Sequence, residues 1–200
     1  MKTLLLSLAV LSAISLRAAD VKPPSEPAKT PASEVAVIKT TDGTMVVAFW
    51  PDVAPNTVAN FIKLAKSGFY NGTAFHRIIP GFMIQGGDPL TKDPSKEFMW
   101  GTGDPGYKIK AEFSDKKHVR GVISMARGQD VDSAGSQFFL MLGNAPSLDG
   151  QYTCFGQLIK GDDVLTKISK TPIIDNGHDE VSKPTKRVEI ESIKIVPGDK

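Results

Sequence analysis

Two short runs hold most of the side chains that could do chemistry. The first is Phe75-His-Arg-Ile-Ile-Pro-Gly-Phe-Met-Ile-Gln-Gly-Gly-Asp88. The second opens at Met125-Ala-Arg127 and, after a polar loop, resumes at Ala134-Gly-Ser-Gln-Phe-Phe-Leu140. Together they supply the guanidinium of Arg77, the amides of Gln85 and Gln137, and several soft apolar side chains. They contain no evident nucleophile and no pair of groups arranged as base and acid. If residues 75–79 are extended, Arg77 and Ile79 share one face, and His76 and Ile78 the other. On composition and spacing alone, Phe75, Ile78, Met83, Phe138 and Phe139 read first as core.

Other chemistries are excluded by what is missing. The histidines His76, His118 and His178 never fall at metal-ligand spacing, and a single cysteine cannot build a zinc cluster. No cofactor is expected. Gly101-Thr-Gly103-Asp-Pro-Gly106 matches the glycine pattern of a dinucleotide loop, which must open a helix. Here Tyr107-Lys-Ile-Lys-Ala-Glu-Phe113 follows and alternates like a strand, so the glycines read as a plain loop. There is no phosphate-loop lysine and no Gly-x-Ser-x-Gly elbow. Asn71-Gly-Thr73 reads as a tight turn rather than a glycosylation site. Cys154 has no intrachain partner and, in a strand-like run, reads as a buried, inert thiol.

The elements that must position these groups are short. Strands are expected at residues 34–40 and 44–50, joined by the turn Thr41-Asp42-Gly43. Residues 55–66 predict a helix, because Val58, Phe61, Ile62 and Ala65 form one apolar stripe that Gly68 can stop. Apolar runs at residues 75–79, 107–113, 122–126, 137–142 and 152–159 are bounded by Gly, Pro, Asp or Asn. Residues 162–169 predict a second helix with Val164, Leu165 and Ile168 inward. A last strand covers 187–196, and its apolar phase slips between Ile190 and Ile193, implying a bulge at Ser192. Two helices among about eight short strands do not alternate as a parallel sheet requires, which points to an antiparallel barrel or sandwich.

The N-terminus reads as an address. Met1-Lys2 and a short apolar run up to Ala18-Ala19 have the layout of a secretory signal peptide at residues 1–19. The run is too short to span a bilayer comfortably. Residues 20–33 hold four of the 14 prolines and read as a linker. Residues 34–200 form the domain. Removing Lys2 and Arg17 leaves 22 basic against 22 acidic residues. A neutral mature chain argues against nucleic acid or an anionic membrane as partner.

The two runs closely resemble the signature segments of the cyclophilins, the peptidyl-prolyl cis-trans isomerases inhibited by cyclosporin. The resemblance extends to Gly101-Thr-Gly103 near Pro105-Gly-Tyr107, to Leu148-Asp-Gly150 followed by Phe155-Gly156, and to Asn56-Thr57 with Asn60-Phe61. It implies a mainly β fold, a closed eight-stranded antiparallel barrel capped by two α-helices, with substrate on the outer face. Arg77 matches the family's catalytic arginine. Phe82, Met83, Phe139 and Leu148 match the walls of its proline pocket, Phe82 counting with the catalytic set. Gln85 and Gln137 match groups that hold the arginine or the substrate backbone. Ala126 and Arg127 match the edge that pairs with substrate, and His76 a histidine beside the arginine. Tyr152 stands where many members have histidine, Arg127 where many have asparagine, and Ser147 where cyclosporin-sensitive members have tryptophan.

The implied function is isomerisation of X–Pro bonds in proline-containing, exported polypeptides, in the bacterial periplasm or outside the cell, by a monomer that binds cyclosporin weakly. The alternative is a module of the same fold that holds proline peptides without turnover. Retention of Arg77 favours the enzyme.

Overall fold

The structure is a computed structural model that describes residues 34–198. The expected signal peptide and linker lie outside the described residues. Among the described residues, eleven strands and two α-helices follow one another. β1 (Glu34–Thr40) and β2 (Gly43–Phe49) form the expected hairpin, and α1 (Pro55–Lys66) follows. Next come β3 (Thr73–Ala74), β4 (Arg77–Ile79), β5 (Met83–Gly86), β6 (Val122–Met125), β7 (Phe138–Met141) and β8 (Cys154–Lys160). α2 (Asp162–Ser169), β9 (Ile173–Asp175), β10 (Val181–Pro184) and β11 (Glu189–Pro197) complete the chain.

Nine strands make one antiparallel sheet in the order β3-β11-β1-β2-β8-β6-β7-β5-β4, while β9 and β10 pair separately. The fold is mainly β, as expected, but the sheet is open and nine-stranded rather than a closed barrel of eight. The difference arises at one place. Residues 73–79 belong to both ends of the sheet: β3 pairs with β11, and β4 pairs with β5. Between them Phe75 donates its N–H to Val188 and His76 donates to Gln85, so the segment turns its hydrogen bonds from one edge to the other.

Period-two alternation sorts the side chains onto two faces. Ile78, Ile84, Phe138 and Leu140 go inward, into a core that also takes Val58, Phe61, Ile62 and Ala65 of α1 and Leu165 and Ile168 of α2. Phe61 sits among Phe49, Tyr70, Phe138 and Phe155, with ring centroids 5.0 to 5.7 Å apart. Met83, Phe139 and Met141 go outward, into a second apolar cluster. Both helices therefore cover the interior, and the outer face of β5, β6 and β7 is left for other work.

α1 begins at Ala54, which has no side chain to cap it. Glu112 replaces the missing cap: its carboxylate accepts from the N–H of Asn56 (3.0 Å) and of Thr57 (2.8 Å). That service explains why residues 107–113 are not the strand their alternation predicts. Only Ile109 bridges to Ala134. The N–H of Ala111 goes to the Asp132 carboxylate and that of Glu112 to the Thr153 hydroxyl. The bulge in β11 also differs by one position. Ser192 faces Lys39 and Ile190 faces Thr40, so the extra residue is Glu191.

Candidate functional site

The register across the sheet assembles the site. Arg77 on β4 lies opposite Gln85 on β5, and Gln85 lies opposite Phe139 on β7. Directly opposed residues share a face, so a guanidinium, an amide and an aromatic ring stand in a row on the outer side. Met83, two residues before Gln85, joins them. Loops supply the rest of a hollow of about 180 Å³, whose floor and walls are Phe82, Met83, Phe139, Leu148 and Tyr152 and whose rim is Arg77, Gln85, Ala126 and Arg127. Nine of the eleven residues singled out in the sequence meet here.

The other two do not line it. Gln137 acts through a neighbour: its carbonyl accepts from Gln85 Nε2 at 3.0 Å. His76 is carried to the opposite face by the alternation and is only 8% exposed. Neither ring nitrogen finds a partner. Burial pushes His76 down from 6.5 to about 4, against the pull of Asp88. It borders an adjoining hollow with Trp100 and Ser182 instead.

Arg77 is held on two sides. Nη1 donates to Gln85 Oε1 at 3.1 Å. Nε and Nη2 donate to the two carboxylate oxygens of Glu180 at 2.7 and 2.6 Å, a bidentate pair. The hydrogen bonds from Arg77 hold the Glu180 carboxyl down at about 2. Glu180 had no signal in the sequence: it comes 103 residues after Arg77, in a turn with no motif.

The amide chain continues from the arginine into the glycine-rich loop. Gln137 Nε2 donates to the carbonyls of Gly101 and Gly103, both at 2.9 Å. Those carbonyls only accept, which fixes the orientation of both glutamine amides. The loop itself is tied down by Asp88, whose side chain is fully buried. Asp88 accepts from the N–H of Leu90, Gly101 and Gly103. A Cβ on Gly103 would run into the Asp88 carboxylate, so this position must be glycine.

Residues 35–195 match the family model described as cyclophilin type peptidyl-prolyl cis-trans isomerase/CLD. The chain is 45% identical over 145 residues to a peptidyl-prolyl cis-trans isomerase of Helicobacter pylori, covering 70% of this chain and 83% of that one. It is 39% identical over 196 residues to the Arabidopsis thaliana peptidyl-prolyl cis-trans isomerase CYP23, covering 94% and 80%. Its fold matches the crystal structure of a Cryptosporidium parvum cyclophilin type peptidyl-prolyl cis-trans isomerase in the presence of the dipeptide Ala-Pro, with a TM-score of 0.72, 32% identity, and coverage of 82% and 99%. The chain belongs to the cyclophilin-type peptidyl-prolyl cis-trans isomerase family.

Two features of this cyclophilin's pocket wall follow from its own residues. Arg127 lies over the Tyr152 ring at 4.6 Å and donates to the Gln151 carbonyl, so its side chain braces the wall. Behind the wall, the His118 ring stacks on Phe139 with centroids 6.0 Å apart. His118 donates its backbone N–H to Asp149 at 2.8 Å, and its carbonyl accepts from Ala145. The Leu148 loop is thereby pinned at both ends. Cys154 lies 3.3 Å from His118 Nε2 but is 1% exposed. Burial pushes its thiol up to about 11, the opposite of an activated nucleophile. Ser147 is exposed at the end of the loop and adds no apolar surface to the wall.

Proposed function

We propose that the hollow takes the proline ring of a polypeptide, and that Arg77 donates a hydrogen bond to the imide nitrogen as the X–Pro bond twists. The observation that carries this reading is a guanidinium, 32% exposed, at the rim of an apolar hollow with donors to spare. A guanidinium has five N–H groups. Glu180 and Gln85 use three, which leaves one on Nη1 and one on Nη2.

The reaction suits these groups. Rotation about an amide faces a barrier of about 18–20 kcal/mol, because it breaks conjugation. No covalent bond is made or cleaved. The twisted state is less dipolar than the planar one, and its nitrogen regains a lone pair. An apolar pocket therefore favours the twisted form, and a donor aimed at the nitrogen favours it further. A hydrogen bond to a charged group is worth about 1.5–3 kcal/mol, roughly ten- to hundredfold in rate. Desolvation in the hollow and grip on the substrate backbone along Ala126 and Arg127 must supply the rest.

The test is a proline-limited peptide assay with Arg77→Ala beside wild type. The expected result is a loss of about tenfold or more in kcat/KM. Equal rates would leave only a peptide-holding module.

Two wider readings belong with this proposal. Residues 1–19 direct export and residues 20–33 link them to the domain, a tether only where the signal stays uncleaved, so the enzyme assists folding of exported proteins. N-terminal sequencing of the protein recovered from the cell envelope tests this, and intact Met1 on a cytosolic protein refutes it. The chain works as a monomer, which sedimentation of the purified protein checks and a stable dimer contradicts.

A further inference from the structure

The carboxylate on Arg77 comes from a part of the chain that contributes nothing else to the proline hollow. We propose that Glu180 is a positioning residue for isomerisation: it grips the Nε–Nη2 edge of Arg77 and so holds the Nη1 side toward Gln85 and the hollow. The proposal rests on the role given to Arg77 above.

A long arginine side chain has many rotamers to lose and prefers water when free. A single hydrogen bond from Nη1 to Gln85 fixes a point but not the guanidinium plane. A bidentate carboxylate fixes the plane. Glu180 supplies both of its oxygens at 2.6 and 2.7 Å.

The hairpin is built to deliver this residue. β10 packs against β4, the strand that carries Arg77. In the turn, the Asp175 carboxylate accepts from Gly177 at 2.6 Å, and the Asn176 side chain accepts from His178 at 2.8 Å. Gly177 and Asp179 both take positive φ, 85° and 61°, so the chain reverses tightly just before Glu180. Asn176 then donates its N–H to the Glu180 carbonyl at 2.9 Å. Asn176 Nδ2 also donates to the buried Ser182 hydroxyl of β10 at 3.4 Å, which ties the turn to the strand.

The alternative is that Glu180 clasps Arg77 and withholds it from substrate. The donor count decides against that. Two N–H groups remain free, one on Nη1 and one on Nη2, and Arg77 still borders the hollow.

The experiment compares wild type, Glu180→Ala, Glu180→Gln, Arg77→Ala and the double variant Arg77→Ala/Glu180→Ala on an Ala-Pro peptide. Unfolding midpoints and the Arg77 Nε–H signal in a proton–nitrogen spectrum are recorded alongside. Glu180→Ala is expected to lower kcat/KM about fivefold, mainly in kcat, and to broaden or shift the Nε–H signal while the unfolding midpoint changes little. Glu180→Gln should fall between Ala and wild type. In the Arg77→Ala background, removing Glu180 should change the rate no further. Wild-type or faster turnover by Glu180→Ala overturns the proposal. So does an equal loss in both backgrounds, which would mean that Glu180 acts through the hairpin and not through Arg77. A wild-type rate for Arg77→Ala alone would instead bring down the arginine reading, and this proposal with it.

Discussion

Replacing Asp88 by asparagine exchanges one carboxylate oxygen for an amide nitrogen at a site without solvent. In the native protein Oδ1 accepts from Leu90 at 2.7 Å, and Oδ2 accepts from Gly101 and, at 3.2 Å, from Gly103. An asparagine can keep its oxygen on the glycine side, which leaves an NH₂ against the N–H of Leu90. The other orientation leaves the NH₂ against two donors and is worse. In the better case one hydrogen bond to a charged acceptor is lost, worth about 1.5–3 kcal/mol, and two others weaken by roughly 0.5–1 kcal/mol each as the charge goes. The expected destabilisation is about 3 kcal/mol, read as a lower urea midpoint with unchanged slope. Because Gln137 anchors on the carbonyls of Gly101 and Gly103, kcat/KM should also fall several-fold. A stability change below about 1 kcal/mol with wild-type turnover would refute the idea that this carboxylate organises the loop and, through it, the amide chain to Arg77.

Acid should destabilise the protein through His76. Its folded value is about 4 against an unfolded 6.5, so the unfolded chain binds the extra proton first and stability falls as pH drops between those values. The loss approaches about 3 kcal/mol, and His76→Gln should flatten that limb in urea midpoints taken at about pH 7 and 4.5; an unchanged slope would contradict it. His118, also lowered by burial, contributes to the same limb and persists in the variant. Turnover, by contrast, should be nearly flat between about pH 6 and 9, since His76 near 4 and Glu180 near 2 both titrate below that window. A steep bell in kcat/KM would point to proton transfer. Cyclosporin should bind weakly to the wild type, and Ser147→Trp should tighten it at least about tenfold in an inhibition titration. Nanomolar inhibition of the unaltered protein would overturn that expectation.

The elements with strong periodicity were legible from sequence. Both helices fall at the residues that their apolar stripes mark, because each stripe meets a core of matching shape. The first hairpin was equally plain from its turn. Residues 107–113 were not, because alternation reports which side chains face inward but not where the backbone N–H groups go. Here Asp132 and Thr153 take them. The hollow was not legible from composition and spacing, which read Met83 and Phe139 as core; the resemblance of the two runs to the cyclophilin signatures marked its walls, and strand register shows why they meet. Phe138 and Phe139 show the limit of composition: adjacent and alike, one is core and the other a pocket wall. Glu180 was not legible at all. Its partnership depends on a contact between β10 and β4 that no local pattern encodes.

The pairing of Glu34 with Pro197 places the two ends of the described residues side by side, on strands that contribute nothing to the hollow beside Arg77. Fusions, surface attachment or re-ordering of the termini by a short joining segment can therefore be made there without disturbing the working face. The architecture behaves as a plug-in cartridge, whose socket and business end lie on different parts of the sheet.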